Sequence, residues 1–254
     1  MEDIIKKRLG EENINHQGCL MKIVKYNKAT DIFVEFQDQY KTVVHTQYSN
    51  FKQGNVRNIF YPNVYGVGIT GNKYSTRTKE YKLWINMMAR CFDKKEKDKH
   101  PTYQNATCCE EWLYYPNFYE WLHSQENFEK WLNGYRWNVD KDILVKRNKI
   151  YSPETCCLVP QNVNTLFVKK DENRGVLPIG VTICNDGFKA RCQNPITKQR
   201  DDLGNYSTPT QAFLVYKNHK ENLIKEVAQL EFNNGNITEA CYNAMMNYVV
   251  EITD

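Results

Sequence analysis

The residues of this chain best suited to chemistry are nine cysteines, five histidines and an unusual density of Lys, Arg, Trp and Tyr in its middle. Cys108-Cys109 and Cys156-Cys157 are adjacent pairs, with Cys91 upstream. A structural zinc site draws on pairs separated by roughly two to four residues, so Zn2+ is not expected here and buried, reduced thiols are. An odd number of cysteines in 254 residues does not suit a disulfide scaffold either. His16, His45, His100, His123 and His219 are dispersed and form no cluster. Residues 67–170 hold 17 basic against 12 acidic residues, compared with 9 against 7 before them and 8 against 11 after them. A basic middle interleaved with Trp and Tyr suits a nucleic-acid surface, because Lys and Arg neutralise phosphates while aromatic faces stack on bases.

The elements that must position these residues can be read from periodicity. A 41% hydrophobic content makes disorder unexpected, and a mean hydropathy of -0.70 without a long apolar run excludes a membrane-spanning helix. Met1-Glu2-Asp3-Ile4 lacks the layout of a signal peptide, so a soluble protein of the cytoplasm is expected. After a short polar helix over Asp3 to Glu12, the stretch Cys19 to Phe60 alternates apolar and polar residues with period two. That pattern predicts a small antiparallel meander that curls into a barrel. Phe60 to Thr78 has no period and reads as a linker. Tyr81, Trp84, Ile85, Met88 and Cys91 mark one face of a helix, and the aromatics from Trp112 to Trp131 recur in helical clusters that suit core packing.

Val139 to Val168 reads as strand, loop, strand and helix. Strands are then expected over 179–183, 188–193 and 199–206, punctuated by Asn185-Asp186-Gly187 and Asn194-Pro195. Ser207-Thr208-Pro209 caps a long helix, and one more short helix follows over 236–246.

Asp140-Lys141-Asp142, Asn148-Lys149, Ser152-Pro153-Glu154, Val159-Pro160-Gln161 and Asn164 resemble the HNH endonuclease motif as it occurs in phage and prophage proteins of the homing-endonuclease type. The resemblance implies one divalent metal, Mg2+ or Mn2+, held by Asp140 from the first strand and Asn164 from the helix. In an alternative register Asp142 is the ligand. It puts Lys141 at the position of the general base and Thr155 at that of a loop-bracing Asn. A general base must take a proton from the attacking water, whereas an ammonium flanked by carboxylates is a donor. The nuclease site therefore reads as degenerate.

Gly180-Val181, Phe188-Lys189-Ala190-Arg191, Asp202-Leu203-Gly204-Asn205-Tyr206, Thr208-Pro209, Gln211-Ala212-Phe213 and Tyr216-Lys217 are similar to the DNA-binding domain of plant APETALA and ethylene-response factors, which also occurs beside HNH nucleases. The resemblance implies a three-stranded sheet in the major groove with a helix on its back. Lys189, Arg191, Gln193, Lys198 and Arg200 would then reach phosphates and base edges, with Lys146, Arg147 and Lys149 as further DNA contacts.

The expected fold class is thus α+β in three parts. A small antiparallel β-barrel spans 1–66, an aromatic-rich helical and HNH-like ββα domain spans 67–170, and an APETALA-type domain with a C-terminal helix spans 171–254. The expected function is duplex DNA binding by a phage-type protein, located in the cytoplasm of the bacterial host, with a degenerate nuclease site. Two alternatives stand beside it: an active metal-dependent DNA endonuclease, and a phage factor that engages a host regulatory or defence protein.

Overall fold

A computed structural model of the chain describes residues 2–134, 136–168, 176–252 and 254. The chain divides into two compact units, 1–94 with 110–119, and 95–109 with 120–254. The boundary expected at residue 66 falls inside the first unit, and the one expected at 170 lies outside the described residues.

In the first unit, α1 (Glu2–Arg8) precedes β1 (Glu12–Ile14), β2 (Leu20–Lys28), β3 (Asp31–Phe36) and β4 (Val43–Thr46), which form one antiparallel sheet in that order. Alternation buries Met21, Ile23, Ile32, Val34 and Phe36 on one face. The expected barrel is not formed, because β1 and β4 are edge strands of three and four residues that pair with β2 and β3 and not with each other. The apolar face is covered instead by Phe51 of α2 (Tyr48–Lys52) and by Val56.

The segment expected as a linker also packs. Val64 bridges to Gly68 and Ile69 to Tyr114, and Val64, Ile69 and Thr70 are buried. Irregular backbone with a few apolar residues carries no period, yet it buries those residues as well as a strand would. Helix α3 (Lys79–Phe92) starts where Thr78 Oγ1 accepts the Tyr81 N–H, and buries Trp84, Met87, Met88 and Cys91. Trp84 Nε1 donates to the Trp112 carbonyl at 2.8 Å, and Trp112 meets Phe118 edge to face at 5.1 Å.

The second unit contains most of α4 (Lys94–Lys99), β5 (Thr107–Cys108), the last residues of α5 (Tyr115–His123), and α6 (Phe128–Asn133). Then come β6 (Trp137–Asp140), β7 (Ile150–Tyr151), β8 (Cys157–Pro160) and α7 (Gln161–Phe167). A three-stranded antiparallel sheet of β9 (Val181–Cys184), β10 (Gly187–Gln193) and β11 (Arg200–Tyr206), with β10 central, is followed by α8 (Pro209–Asn233) and α9 (Glu239–Met246). Thr208 caps α8 and Pro209 opens it, as expected. Val159, Val163 and Leu166 of the ββα unit, Val181, Ala190 and Cys192 of the sheet, and Ala212, Phe213 and Tyr216 of α8 lie in one continuous core.

Candidate functional site

The ββα unit forms as its residues suggest. β6 pairs antiparallel with β8, Asp140 standing opposite Cys157, and α7 follows directly. Val139 and Leu158 point into the core, leaving the charged residues to the connecting loop. Asp140 Oδ1 accepts the backbone N–H groups of Asp142 at 2.7 Å and Ile143 at 2.9 Å, so this carboxylate ties the chain as it leaves the strand. Burial pushes its pKa above the ordinary carboxylate value, against the pull of those two hydrogen bonds.

Lys141 is buried at 5% exposure, and its Nζ donates to Asp142 Oδ2 at 2.6 Å and to the Asn148 carbonyl at 2.9 Å. Asn148 in turn donates to the carbonyls of Lys141 and Ile150. Thr155 Oγ1 donates to the Ile150 carbonyl at 2.8 Å, so Thr155 does brace the loop, through a hydroxyl where the resemblance implies an amide. Along α7 a three-residue step puts Asn164 on the face of Gln161, whose Oε1 accepts from Asn138 Nδ2 at 3.0 Å. Asn138 and Asp140 share a face of β6 by alternation.

These donors fit Mg2+ or Mn2+ poorly. One oxygen of Asp140 is engaged by two N–H groups, and an ammonium sits 2.6 Å from Asp142 Oδ2, where a cation would have to displace it. Among the described residues no group of three or more His, Cys, Asp or Glu side chains converges. Of the cysteines, Cys91, Cys156, Cys157, Cys192 and Cys241 are buried free thiols, and burial pushes Cys156 up to about 12. Such a thiol is protonated at neutral pH and is a packing group.

The C-terminal sheet is built so that its two faces differ. Along β10, Ala190 and Cys192 are buried under α8, and the intervening Lys189, Arg191 and Gln193 project from the opposite face. Close approach of the helix is set at Gly180, where φ is +77° and a Cβ would lie 2.0 Å from the Tyr216 ring. On β11, Asp201 Oδ2 accepts from His219 Nε2 of α8 at 2.9 Å, whereas Arg200 and Asp202 share the open face. Arg191 stands opposite Asp202 in the register, and Lys189 Nζ binds Asp202 Oδ2 at 2.8 Å. Both cations hold the Asp202 carboxyl below its ordinary value, the Lys189 hydrogen bond most strongly. Arg191, Lys198 and Arg200 make no ion pair with a described residue. Gln193 Nε2 is spent on the Gln199 carbonyl at 3.0 Å.

The loop cations are placed differently. Lys146 binds Asp254 at 2.8 Å and Glu251 at 3.3 Å, and Arg147 binds Glu251 at 2.7 Å, whereas Lys149 is exposed and makes no ion pair with a described residue. The structure thus brings Arg191, Lys198 and Arg200 to one sheet and its turn, and ties Lys146 and Arg147 to acidic residues more than 100 positions away. Beside that turn, Arg136, Gln161, Asn162, Gln193, Asn194 and Lys198 line a cavity of about 470 Å³, where α7 of the ββα unit and the β10–β11 hairpin meet. Sequence reasoning missed Asp202, Glu251 and Asp254 as regulators of these charges, since each works through pairing that spacing does not reveal. Compared with protein-family models, with curated proteins and with solved structures, the chain matches none.

Proposed function

We propose that the protein binds double-stranded DNA through the open face of the β9–β10–β11 sheet, and that its ββα unit is a scaffold of HNH type without a working nuclease centre. The observation that carries the reading is the sidedness of β10. A short sheet backed by a helix presents Lys189 and Arg191 two residues apart on its free face, with Arg200 on the next strand and Lys198 at the turn. Unpaired guanidinium groups on a rigid sheet suit phosphate and base-edge contacts. The second half rests on Lys141, whose buried ammonium is already a donor to Asp142 and to the Asn148 carbonyl and so is unsuited to accept a proton from water. A phage or prophage origin accords with the two resemblances and their order along the chain.

The test combines two measurements. Anisotropy with a labelled duplex should show binding that weakens steeply with salt, and Lys189→Ala with Arg191→Ala should weaken it more than any pair of substitutions in Cys19 to Phe60. Supercoiled-plasmid nicking with Mg2+ or Mn2+ should be absent in the wild type. Robust wild-type nicking abolished by Asp140→Ala would overturn the scaffold reading in favour of an endonuclease. Salt-independent or absent DNA binding would overturn the whole and favour a protein partner.

A further inference from the structure

The first unit holds a cavity of about 620 Å³ walled by the segment that sequence periodicity leaves blank, residues 63–77, together with Arg57 and the first turn of α3. That volume is in the range of pockets for small organic ligands, roughly 300–1,000 Å³. Its chemistry is one-sided. Arg57 and Arg77 are both exposed on its wall, and neither guanidinium is engaged by a described residue. None of the lining residues is Asp or Glu, and Asn72, Ser75 and Thr76 add neutral hydrogen-bonding groups.

The backbone contributes as well. The wall runs from Ser75 through Arg77 to Tyr81 in the first turn of α3, a 14-residue helix whose N-cap is Thr78, so the positive end of its dipole lies next to Arg77. The wall is also fixed in place. Asn63 Oδ1 accepts the Thr70 N–H at 3.2 Å, Thr70 Oγ1 lies 3.3 Å from the Tyr81 hydroxyl, and Tyr74 stacks on Tyr119 at 3.7 Å. Two guanidinium groups, neutral hydroxyl and amide side chains and a helix start around a cavity with no Asp or Glu in its lining form an environment for a doubly charged oxyanion with several acceptor oxygens.

We propose that this cavity binds the phosphate group of a nucleotide, with Arg57 and Arg77 as the clamp. The phosphate can come from a free nucleotide or from the backbone of a nucleic acid. The inference does not rest on the reading of the ββα unit or the C-terminal sheet, since every residue it uses lies in the first unit.

The test is calorimetric titration of the full chain with inorganic pyrophosphate, ATP, adenosine and a 12-base-pair duplex, for the wild type, Arg57→Gln with Arg77→Gln, and Arg191→Gln. Both clamp positions are exposed, so the double variant should keep its fold, checked by its unchanged circular dichroism and melting. The expected result is binding of ATP and pyrophosphate but not adenosine, weakened by about tenfold or more in the double variant and unchanged in Arg191→Gln. Binding of the duplex alone, lost to the same degree in the double variant, assigns the phosphate to a nucleic-acid backbone. The proposal is overturned if no phosphate-bearing probe binds, or if the double variant binds each of them as the wild type does. Loss of duplex binding in Arg191→Gln with ATP binding intact separates this site from the sheet.

Discussion

Replacing Asp202 by Asn should strengthen DNA binding at low salt and make it more salt-sensitive, an unusual outcome for a substitution that adds no positive charge. Asp202 is the one carboxylate on the open face of β10 and β11, where it holds Lys189 at 2.8 Å and faces Arg191 in the strand register. Its pKa is lowered by both cations, so it stays ionised across the neutral range and opposes any phosphate brought to that face. Three cations of the sheet and its turn, Arg191, Lys198 and Arg200, make no ion pair with a described residue, and Lys189 would be the fourth once Asp202 is neutral. Each phosphate contact contributes about 0.9 to the slope of log affinity against log salt, so raising salt from about 50 to 200 mM weakens binding by about 3.5-fold per contact. Three contacts predict a loss of about 40-fold over that range for the wild type, and four about 150-fold for Asp202→Asn. Arg191→Gln, with two, should lose about 12-fold. Fluorescence anisotropy with a 20-base-pair duplex at four salt concentrations gives these slopes directly. If Asp202→Asn binds no more tightly than the wild type at low salt, or if the three slopes coincide, the open face is not the contact surface.

Other consequences can be checked on the same protein. Arg147→Gln should leave duplex affinity and salt slope unchanged, because its guanidinium is held by Glu251, and a loss like that of Arg191→Gln would show that the latch opens on DNA. Gly180→Ala should destabilise by about 2–5 kcal/mol in urea unfolding, combining left-handed backbone strain with a Cβ driven into the Tyr216 ring. The control Gly66→Ala has φ +74° and open space around it, so it should cost only the backbone part, and equal losses at the two positions would refute the packing argument. Lys141→Ala should destabilise by about 1–3 kcal/mol by leaving the Asn148 carbonyl and Asp142 without their donor, with no change in plasmid nicking.

Lys220 is buried under the C-terminal sheet, and desolvation lowers its pKa below the ordinary lysine value. The unfolded chain therefore binds more protons than the folded one between the lowered and the ordinary value, and stability rises with pH across that window. Lys220→Met should be more stable than the wild type at pH 7, with the gap closing as pH rises toward about 10, and a gap independent of pH would refute this assignment.

Local patterns in the sequence were enough for most of the secondary structure. Period-two alternation marks β2 and β3, Asn-Asp-Gly and Asn-Pro mark the turns of the C-terminal sheet, the spacing of Tyr81, Trp84, Met88 and Cys91 marks α3, and Thr208 and Pro209 mark the start of α8. These signals act between residues a few positions apart, so they can be read along the chain. The β6–β8–α7 unit was legible for the same reason, down to the residues that carry its loop. The fate of its charges was not. Whether Lys141 is a base or a buried donor depends on the Asn148 carbonyl folding back over it, and whether Lys146 and Arg147 are free depends on Glu251 and Asp254.

The same holds for the edges of the first sheet and for the stretch after Phe60. An open sheet and a closed barrel share one alternation pattern, and the choice between them lay with Phe51 and Val56 covering the apolar face. The stretch after Phe60 has no period, yet it is held by the pairing of Ile69 with Tyr114, 45 residues further on. Pairing and burial across such separations leave no spacing to read. They are settled only when collapse decides which surfaces meet, and that decision chose which of the cations a ligand can reach.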